Sequence, residues 1–501
     1  MKSINIMNFV RDIDERLPAE ADHLYKATKA ELALVNEYGV ENTFLLQYDA
    51  LCDERYVKLF KENATERTEL GIWYEIVEPL TTACGMPYRS ERGWKWDWHI
   101  IPGFSMAYTP SEREKLIDET MRKFKEVFGY YPKTVGSWLI DTHTMNYLND
   151  HYDLSAMAIC RDQVNTDAYT LIGGYFNQGY YPSKNNIFTP AQSDEMRVSF
   201  PVLRLLGPCP IYNYDSNKYY SKEGRLPPCT LEVVSKMGAT PECVDWFFKT
   251  FYENESLSFA YSQIGQENSF GYIDFIPALR MQIEKALKLT DVSIEKMCVT
   301  GEKFKKAFPK KTPPTAVTAL DNWDTGTDAQ SVYYDCENYV ANLFRYENRI
   351  FIRSLFLFDE RVKEQYLEKT CTTFDAVYEN LPVVDTLSWN KDEKYDCGLM
   401  IDTDGSPFTT EKLADGILKV MWNDKYVIFE ENKITVHADK LHFFTGDPKA
   451  NLKASDHAIS YEYKNTAYSL KIENAEITER ENGIEIIPKE FCELRPTRET
   501  Q

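Results

Sequence analysis

Residues 38–49, Tyr38-Gly39-Val40-Glu41-Asn42-Thr43-Phe44-Leu45-Leu46-Gln47-Tyr48-Asp49, join the end of a helix to an apolar strand. Residues 20–38 carry apolar side chains near the 3.6-residue spacing of a helix, and Gly39 suits the left-handed position that ends one. A strand-like segment, residues 4–11, precedes the helix. The three segments predict a strand–helix–strand unit, whose strands pair in parallel.

The same alternation continues along the chain. Thr109-Pro110-Ser111-Glu112 combines an N-cap, a proline at the first helical position and a capping-box glutamate, so a helix is predicted to begin there. Gly129 and Pro132 end it. Residues 162–197 are rich in Tyr, Gly, Asn and Pro and are predicted to form a long loop. About seven strand–helix units fit before residue 290, and further strands are predicted at 42–48, 70–76, 134–140, 155–160, 198–206 and 258–264.

The character of the sequence changes after the linker-like Lys310-Lys311-Thr312-Pro313-Pro314. Residues 315–501 are dominated by β-branched and aromatic runs broken by Asn, Asp and Gly, with some helix expected near 359–380. The predicted fold class is therefore α/β: an N-terminal seven-stranded (β/α) barrel over residues 1–310, followed by a C-terminal antiparallel β-sandwich over residues 315–501.

Composition narrows the classes of function. The chain has 501 residues, of which 43% are hydrophobic, so it is globular. Its net charge of −21 argues against binding to nucleic acid or to anionic membranes. There is neither a signal-peptide core at the start nor a run of about 18 apolar residues, so no membrane span is expected. Eleven scattered cysteines without a CxxC pair predict reduced thiols and a cytoplasmic protein.

The order of these segments resembles the glycoside hydrolase/deacetylase superfamily, which includes polysaccharide deacetylases and the family 57 and family 38 glycosidases. Tyr38-Gly39-Val40-Glu41-Asn42-Thr43-Phe44-Leu45 matches the family's helix end and its "Ala-Thr-Phe-Phe" strand. Glu69-Leu70-Gly71-Ile72-Trp73 stands where the family has "Glu-Ile-Gly-Asn-His", and Gly129-Tyr130-Tyr131-Pro132 matches "Gly-x-x-Pro". The resemblance implies a seven-stranded (β/α) barrel and activity on carbohydrates, and it covers residues 4–160 well and 160–290 loosely.

Departures from the family pattern concern the metal site. The family's deacetylases hold a metal through an Asp at the end of the first strand and two His after the third. Here the first strand ends Asn8-Phe9-Val10-Arg11-Asp12, and the two His positions carry Trp73 and Val77. Because divalent metals need carboxylate or imidazole ligands placed together, no metal and no other cofactor is expected.

Paired carboxylates are the predicted catalytic groups, since glycoside cleavage needs one to attack or activate water and another to protonate the leaving oxygen. Asp141 ends the predicted strand 134–140 and is the first candidate, with the role of helix N-cap as its alternative. Glu267 follows the predicted seventh strand, and Glu75 is held in reserve. The ends of parallel strands converge on one mouth of a barrel, so Asp141 and Glu267 are predicted to face one substrate.

Aromatic and polar side chains supply the predicted sugar-binding residues. In Trp94-Lys95-Trp96-Asp97-Trp98-His99 the three indoles would share one face of an extended segment and stack on a sugar, or would pack in the core as the alternative. The long loop has a polar–aromatic composition that suits ligand recognition or turns. The predicted substrate-binding residues are Trp96, Asp97, Trp98, His99, Trp138, His143, Arg161, Asp162, Tyr181 and Asn186.

These patterns together predict a metal-independent glycoside hydrolase that acts on oligosaccharides. One alternative is a carbohydrate deacetylase with an atypical metal site. The other is a non-catalytic sugar-binding protein on a barrel that has lost its activity. No phosphate-binding glycine loop and no GxSxG nucleophile motif is present.

Overall fold

The computed structural model describes most of the chain: residues 1–17, 22–160, 163–166, 169–171, 173–175, 178–204, 209–211, 240–269, 272–323, 328–378, 380–389, 398–446, 448 and 450–498. Strands and helices alternate up to residue 307, and strands predominate from residue 315 onward. No helix within the described ranges is long and apolar enough to span a membrane.

The N-terminal strands are short and, where their burial is described, almost entirely buried. They are β1 Lys2–Val10, β2 Asn42–Leu46, β3 Thr68–Trp73, β4 Thr134–Gly136, β5 Ala156–Ile159, β6 Gln163–Thr166, β7 Tyr169–Leu171, β8 Gly179–Tyr180, β9 Pro182–Ser183, β10 Asn186–Pro190, β11 Val202–Arg204, β12 Ala260–Ile264 and β13 Ser293–Glu295.

The helices each bury part of their surface in the core of the protein. They are α1 His23–Tyr38, α2 Tyr48–Cys52, α3 Glu54–Asn63, α4 Glu78–Ala83, α5 Ile100–Gly103, α6 Pro110–Phe128, α7 Thr142–His151, α8 Pro241–Phe248, α9 Ile276–Ala286, α10 Met297–Ala307 and α11 Thr386–Trp389, with 3₁₀ turns at Ser105–Ala107 and Tyr272–Phe275 and a π-helical turn at Lys249–Glu253. The predicted ends of α1 and α6 are confirmed: Gly39 is left-handed after α1, and Thr109 and Glu112 form the capping box of α6.

Parallel pairing organises the N-terminal sheet in the order β12-β1-β2-β3-β4-β5-β11. These strands curve into a nearly closed barrel, as the strand–helix alternation predicts. The seven-strand count is not confirmed, because β13 also pairs in parallel with β1 and β8 pairs antiparallel with β11. The carboxyl ends of the parallel strands lie at one mouth, where chemistry is found in parallel barrels.

Fifteen of the described C-terminal strands form one continuous antiparallel sheet that curls around its own core, so the pairing does not show the two separate sheets of a sandwich. The exception is β18, Ala376–Tyr378, which pairs in parallel with β7. The long β29 makes the sheet continuous, since residues 492–494 pair with β24 and residues 484–486 pair with β25. The strands are β14 Thr315–Ala319, β15 Gln330–Asp335, β16 Tyr339–Tyr346, β17 Arg349–Leu357, β18 Ala376–Tyr378, β19 Leu381–Asp385, β20 Gly398–Asp402, β21 Thr409–Ala414, β22 Ile417–Trp422, β23 Lys425–Glu430, β24 Lys433–His437, β25 Leu441–Phe444, β26 Asn451–Ala454, β27 Ala458–Tyr463, β28 Thr466–Arg480 and β29 Gly483–Arg498.

The segment 359–375 docks on the barrel. The prediction of a helix near 359–380 is wrong. These residues form turns and bends before β18. Their backbone is used for contacts with the barrel instead: the carbonyls of Tyr366 and Lys369 accept hydrogen bonds from the buried Arg113, and the amide of Cys371 donates to Met106. Tertiary hydrogen bonds have therefore replaced the local ones that a helix would make.

Candidate active site

Arg11 lies at the centre of the charged groups at the mouth of the barrel. It directly follows β1 and is only 1% exposed. Its Nη2 lies 3.6 Å from Oε1 of Glu75 and 3.4 Å from Oε2 of Glu267, and its Nη1 lies 3.8 Å from Asp14. Burial acts to lower the pKa of Arg11, but the neighbouring carboxylates, Glu75 first, raise it above its usual value. The guanidinium therefore stays charged.

Glu75 is held rigidly on the chain that leaves β3. The indole of Trp73 donates to Oε1 at 3.0 Å, and the indole of Trp96 donates to Oε2 at 2.6 Å. Glu75 is 2% exposed. Since an indole N–H only donates, both oxygens of Glu75 act as acceptors, and the two bonds fix the orientation of the carboxyl group.

Glu267 is placed by the chain that follows β12. The amide of Phe9 donates to the carbonyl of Gln266, and the amide of Asn268 donates to the carbonyl of Phe9, so this chain continues alongside β1. The side chain of Asn268 also bonds both backbone groups of Arg11, at 3.0 and 2.8 Å. The carboxylate of Glu267 thus faces the guanidinium because their backbones are joined.

Two of the predicted catalytic carboxylates are therefore brought together, although not the predicted pair. Because both oxygens lie within 3.6 Å of one nitrogen of Arg11, the contacting oxygens of Glu75 and Glu267 are at most about 7 Å apart, within reach of the spacings that glycosidases use. We name Glu75, Arg11 and Glu267 the carboxylate–arginine cluster.

Asp141 has the contacts of its alternative role, that of a helix N-cap. It is the N-cap of α7 and accepts from the backbone N and the hydroxyl of Thr144, at 3.0 and 2.8 Å. Ser105 donates to it at 2.5 Å and Arg113 at 2.8 Å. The carboxylate is 0% exposed. Four donors therefore occupy the carboxylate, which has the contacts of a helix N-cap, and its pairing with Glu267 on a substrate stays a prediction.

Glu364 reaches the same helix end from the C-terminal half of the chain. Its carboxylate accepts from the backbone N of Thr142 at 3.2 Å and from the hydroxyl of Thr142. Burial raises the pKa of Glu364 to about 8, and the charge of Asp141 adds to this. The surroundings of Asp141 are thus an interface between the two halves of the chain.

Aromatic rings line the barrel beside the cluster. Phe9 stacks on Trp73 with centroids 4.0 Å apart, and Trp138 meets both rings edge-on at 5.4 and 5.5 Å. Trp73 and Phe9 are fully buried, whereas Trp138 is partly exposed. Trp138 is thus the predicted sugar-binding residue that presents a ring surface next to the cluster.

The indole segment 94–99 does not have the predicted form. It is a series of bends and turns rather than an extended stripe. Trp96 is 2% exposed, with the guanidinium carbons of Arg11 and Arg16 at 4.2 and 4.4 Å from its centroid. Arg16 and Arg92 lie over Trp98 in the same way. Cation–π contacts therefore use the ring faces that were predicted to stack on a sugar.

Asp97 and His99 anchor this segment. Asp97 is 1% exposed and binds Arg92, the hydroxyl of Ser90 and the backbone N of His99. The ring of His99 lies 5.2 Å from that of Phe374 in the docked segment 359–375. Their predicted contacts with hydroxyl groups of a substrate are thus replaced by contacts within the protein.

The other predicted binding residues lie apart from the cluster. His143 contacts Glu114 of α6 at 3.0 Å. Tyr181 is 4% exposed and packs on Phe304. Asn186 lines a different cavity, between β10 and the segment 359–381. Arg161 and Asp162 lie outside the described residues.

Arg11 is the residue that the sequence analysis missed. The available signal was a single basic residue directly after an apolar strand, in Asn8-Phe9-Val10-Arg11. A charge at the end of a buried parallel strand is expensive unless it is paired, which makes its position informative.

Comparison with known proteins identifies the fold alone. No family model matches the chain, and no curated protein sequence matches it. A solved structure from Parabacteroides distasonis, provisionally described as a glycoside hydrolase/deacetylase, is similar with a TM-score of 0.52 and 14% identity, over 76% of this chain and 88% of that one.

Two provisionally described polysaccharide deacetylases show weaker likeness. The Mycobacterium smegmatis protein has a TM-score of 0.34 and 13% identity, over 61% of this chain and 90% of its own. The Pseudomonas aeruginosa protein has a TM-score of 0.37 and 11% identity, over 62% and 92%. Nothing in these comparisons concerns family 57 or family 38 glycosidases. The chain therefore shares its overall fold with a structure of the glycoside hydrolase/deacetylase kind.

Proposed function

We propose that the protein is a hydrolase that removes acyl groups from a carbohydrate, with Arg11 and Glu267 at its reaction centre. The observation that carries this proposal is the state of Arg11. Its guanidinium is buried between two carboxylates, yet its Nε and Nη2 atoms make no hydrogen bond within the described residues. The substrate class follows the name of the similar Parabacteroides structure. An oligosaccharide substrate and a cytoplasmic setting are carried over from the sequence.

The cluster offers the groups that acyl hydrolysis needs. Attack of water on an acyl carbon builds negative charge on the carbonyl oxygen, and a fixed cation with free N–H groups stabilises that charge. Glu267, 7% exposed, is placed to accept the proton of the attacking water as general base. Glu75, held by two indoles, keeps the guanidinium in position.

We favour deacylation over glycoside cleavage, the activity that the sequence predicts. A glycosidase needs one carboxyl to be protonated so that it can donate to the leaving oxygen. In the cluster both carboxyl groups are ion-pair partners of Arg11, and neither is set aside as a proton donor. Glycoside cleavage remains the second candidate, because the spacing of the two carboxylates, at most about 7 Å, is compatible with it.

The residues at the metal position of the family do not fit a metal ion. Trp73 is fully buried and stacked on Phe9, and its indole nitrogen donates rather than ligates. Val77 is apolar and buried. Within the described part of the chain, no group of three His, Cys, Asp or Glu side chains could hold a metal. The proposed steps are therefore assigned to Arg11 and Glu267.

Purified protein incubated with acetylated oligosaccharides and with nitrophenyl glycosides tests the proposal. We expect release of acetate, and Glu267→Gln should lower kcat about 10²–10⁴-fold, the range for loss of a general base. Glu78→Gln is the matched control, since Glu78 belongs to the same segment as Glu75 but pairs with Lys95 at the surface. Release of nitrophenol without acetate would favour the second candidate. Full activity of Glu267→Gln would refute the assignment.

A further inference from the structure

The side chain of Gln47 is a buried carboxamide. The residue directly follows β2 and is 0% exposed, and within the described part of the chain neither Oε1 nor Nε2 of its side chain has a hydrogen-bond partner. Leaving a buried polar group unpaired destabilises the folded state, and native proteins contain few such groups. An amide with two unpaired atoms therefore requires a reason.

The register of the sheet places Gln47 beside the carboxylate–arginine cluster. Leu46 of β2 pairs with Val10 of β1 on one side and with Ile72 of β3 on the other. The backbone N–H of Gln47 donates a hydrogen bond to the carbonyl of Val10 at 2.8 Å. The next residue on each strand continues this register. Gln47 therefore lies between Arg11 on one side and Trp73 on the other.

The side chain of Gln47 is on the inner side of the barrel. A Cβ built on Gly71 would lie 2.7 Å from the side chain of Leu45, and one built on Gly136 would lie 2.6 Å from it. The ring of Trp73 lies 3.3 Å from the Cβ position on Gly136. Leu45 and Trp73 therefore face inward. The backbone of Gln47 is extended, with φ −71° and ψ 159°, so the side chain two residues after Leu45 returns to the same side.

We infer that Gln47 is a specificity-determining residue that hydrogen-bonds a free hydroxyl group of the sugar next to the cleaved bond. This inference rests on the proposed function. A carboxamide offers one acceptor and two donors, and a sugar hydroxyl both donates and accepts. The substrate would then be a sugar that keeps this hydroxyl unmodified. A site built to bond a hydroxyl rejects analogues that lack it, because its own polar atoms are left unpaired.

Gln47→Leu tests this inference, since leucine has a similar volume and no polar atom. If the amide serves the substrate, the variant loses a buried unpaired group, so its Tm should stay equal or rise by about 2–4 °C. With the acetylated oligosaccharide that the wild type deacetylates, KM should rise about tenfold while kcat stays within about threefold, a factor of ten being about 1.4 kcal/mol. Discrimination against the matching deoxy oligosaccharide should fall.

Gln282→Leu is the matched control. Gln282 lies on α9 and is 1% exposed, and its Oε1 also lacks a hydrogen bond to the residues that the structure describes, so its replacement should leave KM unchanged. A lower Tm with unchanged KM in Gln47→Leu would overturn the inference and leave the proposed function standing.

Binding without turnover separates the two proposals. If the wild type cleaves no compound, its thermal shift with the same acetylated oligosaccharides is measured. A shift that Gln47→Leu abolishes refutes hydrolysis and supports binding by Gln47. No shift in the wild type refutes both proposals.

Discussion

Replacement of Asp141 by asparagine should destabilise the protein without impairing the chemistry of the molecules that remain folded. The carboxylate is the ion-pair partner of Arg113, which is itself 0% exposed. Removing one partner of a buried pair costs about 3–5 kcal/mol, because the other charge stays buried. Asparagine still caps a helix well, so changes in the hydrogen bonds from Thr144 add little to the loss of stability. The carbonyls of Tyr108, Met106, Tyr366 and Lys369 keep accepting from Arg113, which favours the lower end of that range.

Thermal unfolding followed by tryptophan fluorescence measures this effect. A loss of about 3–5 kcal/mol should lower Tm by roughly 3–8 °C, since the entropy of unfolding grows with the number of residues. Asp153→Asn is the control, because Asp153 is exposed and pairs with Lys133 at the surface, where an ion pair contributes about 0–1 kcal/mol. Activity is compared well below the Tm of the variant, so that folded molecules are assayed.

The opposite result would refute this interpretation. If Asp141→Asn kept the Tm of the wild type and lost kcat by a factor of about 10³ or more, the carboxylate would act on the substrate. The pairing of Asp141 with Glu267 predicted from the sequence would then be correct.

Three further predictions concern backbone fit, pH and metals. Gly265→Ala should destabilise the protein by about 3 kcal/mol or more in denaturant titration, because φ is +135° and a Cβ would lie 1.9 Å from the carbonyl oxygen of Met7; wild-type stability would contradict the close approach. Burial raises the pKa of Glu31 from 4.5 to about 8. Between these pH values the folded protein keeps the proton of Glu31 and the unfolded chain releases it. The stability of the folded state therefore falls as pH rises from about 4.5 to 8. Glu31→Gln should flatten the fall in Tm over that window, and equal slopes would show that Glu31 is not the cause. Activity should survive excess EDTA, since Trp73 occupies the family's ligand position; loss restored by zinc would contradict this.

Local signals in the sequence were sufficient for much of the fold. Gly39 and the Thr109–Glu112 capping box mark helix ends through bonds between near neighbours, and the structure confirms both. The predicted strands were apolar because both faces of a parallel sheet are buried. The helix predicted near 359–380 is absent because that backbone bonds to Arg113, more than 250 residues away along the chain.

The candidate site divides in the same way. The sequence by itself determined that carboxylates and aromatic rings follow the strands of a parallel barrel, because strand ends are visible as polar residues after apolar runs. Only the tertiary structure decided which of them meet. Glu75 and Glu267 are 192 positions apart in sequence and share one nitrogen of Arg11, whereas Asp141 turns to Arg113. A side chain's partners depend on the register of distant strands and on the competition among buried charges for counter-ions, and neither is recorded in local sequence.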